Sequence, residues 1–311
     1  MSGVALSPLP ASIPVLLSTA IGTALCSASA NTLNQVQEVP LDAQMARTRN
    51  RPLVRRAISP IHATAFGLAT GVAGPALLWT MVNPTTALLG AFNIALYAGT
   101  YTALKRSSII NTWVGGVVGG IPPLMGWTAC GGHIFPSPEH PIQLFLPSFL
   151  SSTPLDPLLI DNPLAPLALF MLLFSWQFPH FNSLSYFVRD AYAQAGYHML
   201  SVISPAKNAL VSFRHSLLFF PLCSVLVPLS GLTTWAFALT SLPPNIILAH
   251  AAWTFWSSGT EKHARSLFHH SLWWLPVILG LMMFHKQGID WSSWFTAQAE
   301  DTEVDAQASR R

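Results

Sequence analysis

Long apolar stretches without charge alternate with short polar segments along this chain. Six stretches contain no Asp, Glu, Lys or Arg: 1–37, 57–104, 107–138, 162–188, 215–260 and 266–285. A helix needs about 20 apolar residues to cross a bilayer, so each stretch can cross once and two of them can cross twice. With Gly, Pro and polar residues taken as breaks, the pattern predicts eight transmembrane helices. Their predicted ranges are 12–36, 62–82, 85–104, 112–130, 163–188, 209–229, 232–256 and 266–285.

Composition supports the same fold class. The chain of 311 residues has 15 basic and 12 acidic side chains, or 9% charged residues, whereas a soluble domain carries about 25%. Half of the residues (51%) are hydrophobic. We therefore predict an all-α polytopic membrane protein whose partner is the lipid bilayer and not nucleic acid. Residues 1–285 form one transmembrane domain in this interpretation, and 286–311 form a disordered C-terminal tail.

The basic residues are distributed unevenly between the two predicted membrane faces. If the helices alternate in direction, the loops of one face collect 12 of the 15 basic residues. This asymmetry follows the positive-inside rule and supports the predicted number of helices, with both termini on the opposite face. The basic-face residues are Arg47, Arg49, Arg51, Arg55, Arg56, Lys105, Arg106, Arg189, Lys207, Arg214, Lys262 and Arg265.

The segment 131–162 between the fourth and fifth predicted helices is long, rich in Pro and Leu, and free of basic residues. It is interpreted either as a cover at the membrane interface or as a species-specific loop insertion, and the second interpretation is favoured.

Three polar residues follow one another at intervals of four at the end of the first predicted helix. Asn34, Glu38 and Asp42 would lie along one helix face over about 12 Å. Such a set of oxygen ligands suits Mg²⁺, which shares its coordination shell with substrate phosphates. The alternative is an ordinary polar helix end, and Pro40 would kink or end the helix near Asp42.

Acidic groups at membrane depth are costly unless they are paired or bind a cation, which makes Glu38, Asp42 and Asp190 candidates for a functional site. Downstream of the first two, Arg47, Arg49 and Arg51 offer planar donors suited to phosphate oxygens. Acids and arginines beside an apolar bundle predict a site for a diphosphate that carries an apolar tail.

Three runs also resemble a known family. The first is NQVQEVPLDAQMARTRNRPLV at 34–54. The second is YTALKR at 101–106, followed by Asn111, Thr112 and a run of Gly and Pro to Trp127. The third is WQFPHFN at 176–182, continued by RDAY at 189–192 and Tyr197. In order and spacing, these runs resemble the UbiA superfamily of intramembrane prenyltransferases, in its haem-farnesylating branch. The resemblance extends over roughly residues 20–285.

This resemblance implies a UbiA-type helix bundle and an activity. The enzyme would transfer farnesyl from farnesyl diphosphate to the vinyl group of haem B, giving haem O for haem A and cytochrome c oxidase. The metal site would hold Mg²⁺ through the diphosphate, with Asn34, Glu38, Asp42 and Asp190 as the catalytic and metal-binding residues. Arg47, Arg51, Lys105 and Arg106 would bind the diphosphate and stabilise its departing charge.

Several individual residues keep two interpretations. Lys105 and Arg106 end an apolar helix, where their side chains could simply reach for the interface. The haem-binding candidates from the resemblance are His180, Trp176, Gln177 and Asn182. His180 is either a neutral hydrogen-bonded histidine or an axial ligand or propionate partner of haem.

The chain departs from the family pattern at two places. Ala191 stands where the family has an acidic residue before a tyrosine, and Asp190 lies one position earlier, about 100° around a helix. The family has nine transmembrane helices, so a chain with eight is expected to lack the first, and its N-terminal sequence does not resemble an Arg-rich transit peptide. We therefore expect a truncated or mis-started gene product.

The resemblance further implies a multi-pass protein of the mitochondrial inner membrane, with basic loops facing the matrix and the downstream haem A synthase as a possible partner. Two alternatives remain. One is a UbiA-type prenyltransferase with a quinone precursor as acceptor. The other is a catalytically impaired, truncated haem-binding assembly protein.

Overall fold

The computed structural model describes residues 2–147, 149–150 and 161–288, and the regular elements in these ranges are helices. Three short helices connect or flank the bundle near its ends, and a fourth precedes α11. The elements are α1 (Ser2–Leu6), α2 (Ile13–Asp42), α3 (Pro60–Met81), α4 (Pro84–Leu104), α5 (Asn111–Ala129), α6 (Leu164–Phe187), α7 (Arg189–Gln194), α8 (Leu200–Ile203), α9 (Pro205–Leu229), α10 (Ala236–Thr240), α11 (Leu242–Ser258) and α12 (Glu261–Phe284).

The predicted all-α membrane fold is confirmed. Long helices occupy all eight predicted positions, and six of them are long and apolar enough to span a membrane within the described ranges. The other two are α5, which is rich in Gly, and α11, which has 17 residues. The prediction for 232–256 was wrong in one detail, because α10 and α11 are separate helices there. Residues 148 and 151–160 of the predicted segment 131–162, and residues 289–311 of the predicted tail, lie outside the described residues.

Several helices begin where a polar cap precedes proline. Ser59 Oγ accepts the backbone N–H of His62 at 3.2 Å, and Asn83 Oδ1 accepts that of Thr86 at 2.8 Å. Pro60 and Pro84 follow directly, at the first helical position, where a missing N–H costs no intrahelical bond. The caps therefore define the starts of α3 and α4.

Helix α2 continues past Pro40 and ends at Asp42. The Ala43 N–H still bonds to the carbonyl of Val39, so the last turn closes despite the proline. As a result, Asn34, Glu38 and Asp42 lie on one continuous helix. This geometry places all three on the same side of α2, and all three are buried.

Helix α4 changes its winding before it reaches the basic end of the bundle. Residues Ala95–Tyr101 form a π-helical segment, in which Thr102 Oγ donates to the carbonyl of Tyr97 at 2.8 Å. Such segments are often found at functional sites because they redirect side chains within a helix. Here the segment carries Tyr97 and Tyr101 toward α2.

The first helices approach each other closely because the residues between them are small. A Cβ added to Gly74 of α3 would lie 2.9 Å from the backbone nitrogen of Cys26 in α2. Close contacts through small residues are typical of helices packed in membranes. The second half of the chain instead packs around α6, where Leu169, Leu172 and Phe178 are fully buried.

Candidate active site

The polar face of α2 faces the interior of the bundle. Asn34, Glu38 and Asp42 are between 1% and 4% exposed, although each is strongly polar. The Asn34 amide nitrogen donates to Thr102 Oγ at 2.9 Å, and this bond fixes the orientation of the amide. Burial of polar groups at the end of an apolar helix costs free energy unless they have partners. The role of these three residues therefore depends on the cations around them.

Lys105, at the end of α4, pairs with Glu38. Its ammonium lies 2.9 Å and 3.1 Å from the two carboxylate oxygens, and both side chains are at most 10% exposed. The same ammonium lies 4.6 Å from the centre of the Tyr101 ring. The cation is thus held between a carboxylate and an aromatic face, in an environment that water barely reaches.

Asp42 makes a second ion pair. Its Oδ2 lies 2.5 Å from an Arg51 guanidinium nitrogen, whereas its Oδ1 is buried and has no hydrogen-bond partner among the described residues. A buried carboxylate oxygen without a partner is an available ligand atom. With Glu38 and Asn34 on the same face, this donor set of oxygens fits Mg²⁺.

Two tyrosines close this site from the segment after α6. The Tyr192 hydroxyl accepts a hydrogen bond from Arg47 at 3.3 Å. Burial raises the pKa of the Tyr197 hydroxyl, and the carboxylates of Glu38 and Asp42 raise it further. Tyr197 therefore stays protonated beside the two acids, where it is a hydrogen-bond donor.

The structure does not bring every predicted residue to this site. Arg106 is exposed. The Asp190 side chain is 86% exposed, and its nearest cation is the neighbouring Arg189 at 3.9 Å. The backbone of α7 directs Tyr192 inward, so Asp190, two positions earlier, points away from the α2 carboxylates.

Two adjacent cavities lie near the ion pairs. One, of about 280 Å³, lies between α2, α4 and α5 and is lined largely by apolar atoms. The other, of about 180 Å³, extends toward α6, where Gln177 and Phe181 line it. Both share the lining residues Tyr97, Val118 and Gly119. Because the Tyr101 ring lines the second cavity and also contacts Lys105, this cavity lies next to the charged site.

The four predicted haem contacts do not line one pocket. Trp176 and His180 stack with ring centres 4.3 Å apart, and both bond to Ser271 of α12. Gln177 faces the second cavity. Asn182 is fully buried and exchanges amide-to-carbonyl hydrogen bonds with Asn208 of α9. Asn182 therefore joins two helices, and the haem-binding role of all four stays a prediction.

Sequence reasoning did not assign roles to Tyr97, Tyr101, Tyr192 and Tyr197. All four belong to or adjoin the quoted motifs, and the spacing of four between the first two was a usable signal. Their convergence on the carboxylates depends on contacts between residues far apart in the chain, which spacing alone does not reveal.

A buried carboxylate face lies beside cations at one end of the bundle, and the Tyr101 ring lies between Lys105 and a largely apolar cavity. The family model described as UbiA prenyltransferase family matches residues 1–273. The chain therefore belongs to the UbiA prenyltransferase family, as the motifs predicted.

Within this family, the chain is similar to curated proteins that share one name. The mitochondrial protoheme IX farnesyltransferase of Neurospora crassa is 45% identical over 97% of this chain and 56% of its own length. The human protein of the same name is 43% identical over 92% of this chain and 58% of its own length. The chain thus spans a little over half the length of these relatives.

Solved structures share the fold. A digeranylgeranylglyceryl phosphate synthase superposes with a TM-score of 0.68 at 14% identity, over 91% of this chain and 90% of that chain. A UbiA homologue from Archaeoglobus fulgidus, bound to DMAPP and Mg²⁺, superposes with a TM-score of 0.53 at 13% identity, over 90% of this chain and 91% of that chain. These similarities confirm the UbiA-type bundle.

Proposed function

We propose that this chain transfers a farnesyl group from farnesyl diphosphate to a vinyl group of haem B, giving haem O. The observation that carries the proposal is the pairing of Glu38 with Lys105 and of Asp42 with Arg51, together with Tyr101, whose ring contacts Lys105 and also lines a largely apolar cavity. The similarity to relatives named protoheme IX farnesyltransferase supports haem as the acceptor.

In this mechanism the cations bind the diphosphate and exchange partners when it arrives. Lys105 and Arg51 move from their carboxylates to phosphate oxygens, and Arg47 approaches from the side of Tyr192. Glu38, Asp42 and Asn34 would hold Mg²⁺ on the diphosphate, where the metal supplies charge neutralisation for the leaving group. The residues therefore stabilise negative charge at the position where it develops.

The reaction breaks the bond between the first farnesyl carbon and the diphosphate oxygen, and the leaving group takes the electron pair. The haem vinyl group then attacks the allylic cation, and water adds to the resulting cation with loss of a proton. The rings of Tyr97 and Tyr101 face the path between the charged site and the cavity, where they exclude water and stabilise positive charge.

The names of the relatives support a location in mitochondria, and we place the protein in the inner membrane with its basic loops toward the matrix. In that orientation the Glu38 and Asp42 site opens to the matrix. Haem A synthase is the proposed consumer of the product.

The test is expression of the chain in membranes that lack haem O synthesis, followed by mass spectrometry of extracted haems. Haem O is expected with the wild-type chain and not with Asp42→Asn, whereas Glu261→Gln, an exposed acid 50% accessible on the basic face, keeps the yield. Haem B alone in every sample, with the protein folded and inserted, would reject the proposal. If the extracts contained a prenylated quinone precursor in place of haem O, the acceptor would be a quinone precursor and not haem B.

A further inference from the structure

Three potential metal ligands meet in the loop that connects α5 to α6. His133 Nδ1 lies 2.6 Å from Asp161 Oδ2, and His140 Nδ1 lies 3.8 Å from the same oxygen. The ligand atoms of all three residues lie within 4.8 Å of one another. Imidazole nitrogens with a carboxylate oxygen form a donor set typical of Zn²⁺ and related divalent transition metals.

This cluster lies at the other end of the bundle from the α2 carboxylates. Asn111 begins α5 near Lys105, and α5 rises about 28 Å over its 19 residues before the loop starts. The two groups of charged residues therefore lie near opposite membrane faces. A ligand at the loop would not contact the prenyl-transfer site.

Asp161 is held in place before any metal binds. Its side chain is only 8% exposed, and its two oxygens accept the backbone N–H of His133 at 3.1 Å and 2.9 Å. The next residue, Asn162, donates to the carbonyls of Gln143 and Ser230. The carboxylate is therefore fixed relative to the loop and to the end of α9.

The two imidazole rings are arranged for one shared partner. They stack with centres 4.0 Å apart and an angle of 17°, and both direct Nδ1 toward Asp161 Oδ2. A hydrogen bond accounts for His133 but not for His140, whose 3.8 Å distance is too long. Ligand atoms around a tetrahedral Zn²⁺ are about 3.3 Å apart, which lies between the two observed distances.

The surroundings leave the two histidines accessible to an ion. A cavity of about 380 Å³ adjoins His133 and reaches Asn83 and Thr128 on the same face. The His133 side chain is 52% exposed and that of His140 is 32% exposed, so both are accessible.

We propose that His133, His140 and Asp161 bind one divalent transition metal of the Zn²⁺ class, with water at the fourth position. The metal joins His133 near the start of the loop to Asp161 near its end. It therefore acts as a clasp between two positions of the loop that are 28 residues apart in the sequence.

The experiment measures Zn²⁺ bound to the full chain in lipid nanodiscs after treatment with a chelator. We expect one tightly held Zn²⁺ per chain by elemental analysis, and at least tenfold weaker affinity for His140→Ala and Asp161→Asn in competition with a chromogenic chelator. His140→Ala removes a side chain that makes no short bond to Asp161, and Asp161→Asn keeps an acceptor for the His133 N–H. Both variants should therefore fold.

Two controls separate this site from other ligands. His263→Ala removes a half-buried histidine bonded to Ser258 and Thr260, and it should keep the bound Zn²⁺. The double variant Glu38→Gln with Asp42→Asn should keep it as well, which distinguishes the clasp from the prenyl-transfer site. Zn²⁺ should raise the melting temperature of the wild-type chain but not that of His140→Ala. Less than stoichiometric Zn²⁺ in the wild-type chain, or equal binding by His140→Ala, would overturn the proposal.

Discussion

The two halves of the bundle are filled differently. Helices α2 to α5 line two adjacent cavities, the second of which also borders α6, and their buried apolar cluster is small and contains no aromatic residue. Helices α6 to α12 enclose a large cluster that contains the fully buried rings of Phe219 and Trp274. The first half therefore contains the cavities and the buried ion pairs, whereas the second half contains a densely packed apolar core.

This difference separates two tasks within one fold. A site that must admit an apolar chain needs a cavity, and a cavity forfeits packing contacts that would stabilise the helices around it. The second half is more densely packed and supplies those contacts. Its helix α6 borders the second cavity on one side and packs against the core of the second half on the other. We therefore expect substitutions of residues that line the cavities to change activity more than stability, and truncations in the core of the second half to do the reverse. The buried ion pairs are a separate case, because removal of one partner affects both activity and stability.

The largest effect is expected from the buried pair of Glu38 and Lys105. Glu38→Gln should lower haem O formation on the order of 10²- to 10³-fold, because it removes a carboxylate that would hold Mg²⁺ on the leaving group, where the metal neutralises the developing negative charge. It also leaves Lys105 buried without a counter-charge, which costs about 3–5 kcal/mol of stability. Mass spectrometry of haems and a thermal melt measure the two effects separately.

The double variant Glu38→Gln with Lys105→Met makes this test sharper. Removal of both charges should restore most of the melting temperature without restoring activity. If the double variant regained haem O formation, the pair would serve folding alone. That result would contradict the proposal that the first half carries the catalytic charges.

Two truncations, one in each half, compare the halves. Trp274 is fully buried, and its indole N–H bonds to Asn245 Oδ1 at 3.0 Å. Trp274→Ala should therefore cost about 3–5 kcal/mol of unfolding free energy. Ile94→Ala, at the cavity wall, should cost less than about 1 kcal/mol, because Ile94 already borders empty space. Equal losses of unfolding free energy in denaturant titrations of the two variants would contradict the proposed difference in packing between the halves.

Much of the fold was predictable from the sequence, because runs of apolar residues and proline-linked caps act locally. The face shared by Asn34, Glu38 and Asp42 was predictable for the same reason. Its partners were not, since Lys105 lies 67 positions from Glu38 and meets it only after α2 and α4 pack.

The motifs also did not define side-chain directions. Asp190 belongs to a run that resembles the family, yet the turn between α6 and α7 directs it to solvent. His133, His140 and Asp161 had no recognisable spacing, because an irregular loop brings them together. Periodicity cannot detect contacts that depend on the path of a loop.

The cavity itself is tested at Gly119. A Cβ at this position would lie 1.9 Å from the Gln177 amide nitrogen, so Gly119→Ala must displace that flexible side chain into the second cavity. We expect about a tenfold rise in KM for farnesyl diphosphate with little change in melting temperature. Gly99→Ala is the control, because its added Cβ meets nothing within 4 Å. An unchanged KM for Gly119→Ala would indicate that the prenyl chain binds elsewhere.

The smallest effect is expected from Asp190, the acid that lies outside the cavity half. Its side chain is 86% exposed and its contact with Arg189 spans 3.9 Å, so Asp190→Asn should change turnover and stability less than about twofold. Steady-state kinetics of Asp190→Asn and Glu38→Gln, measured side by side, compare the two losses of turnover. A loss as large as that of Glu38→Gln would mean that α7 turns when substrate binds and brings a third carboxylate to the diphosphate. In that case the catalytic charge would come from both halves, and the second half would do more than support the first.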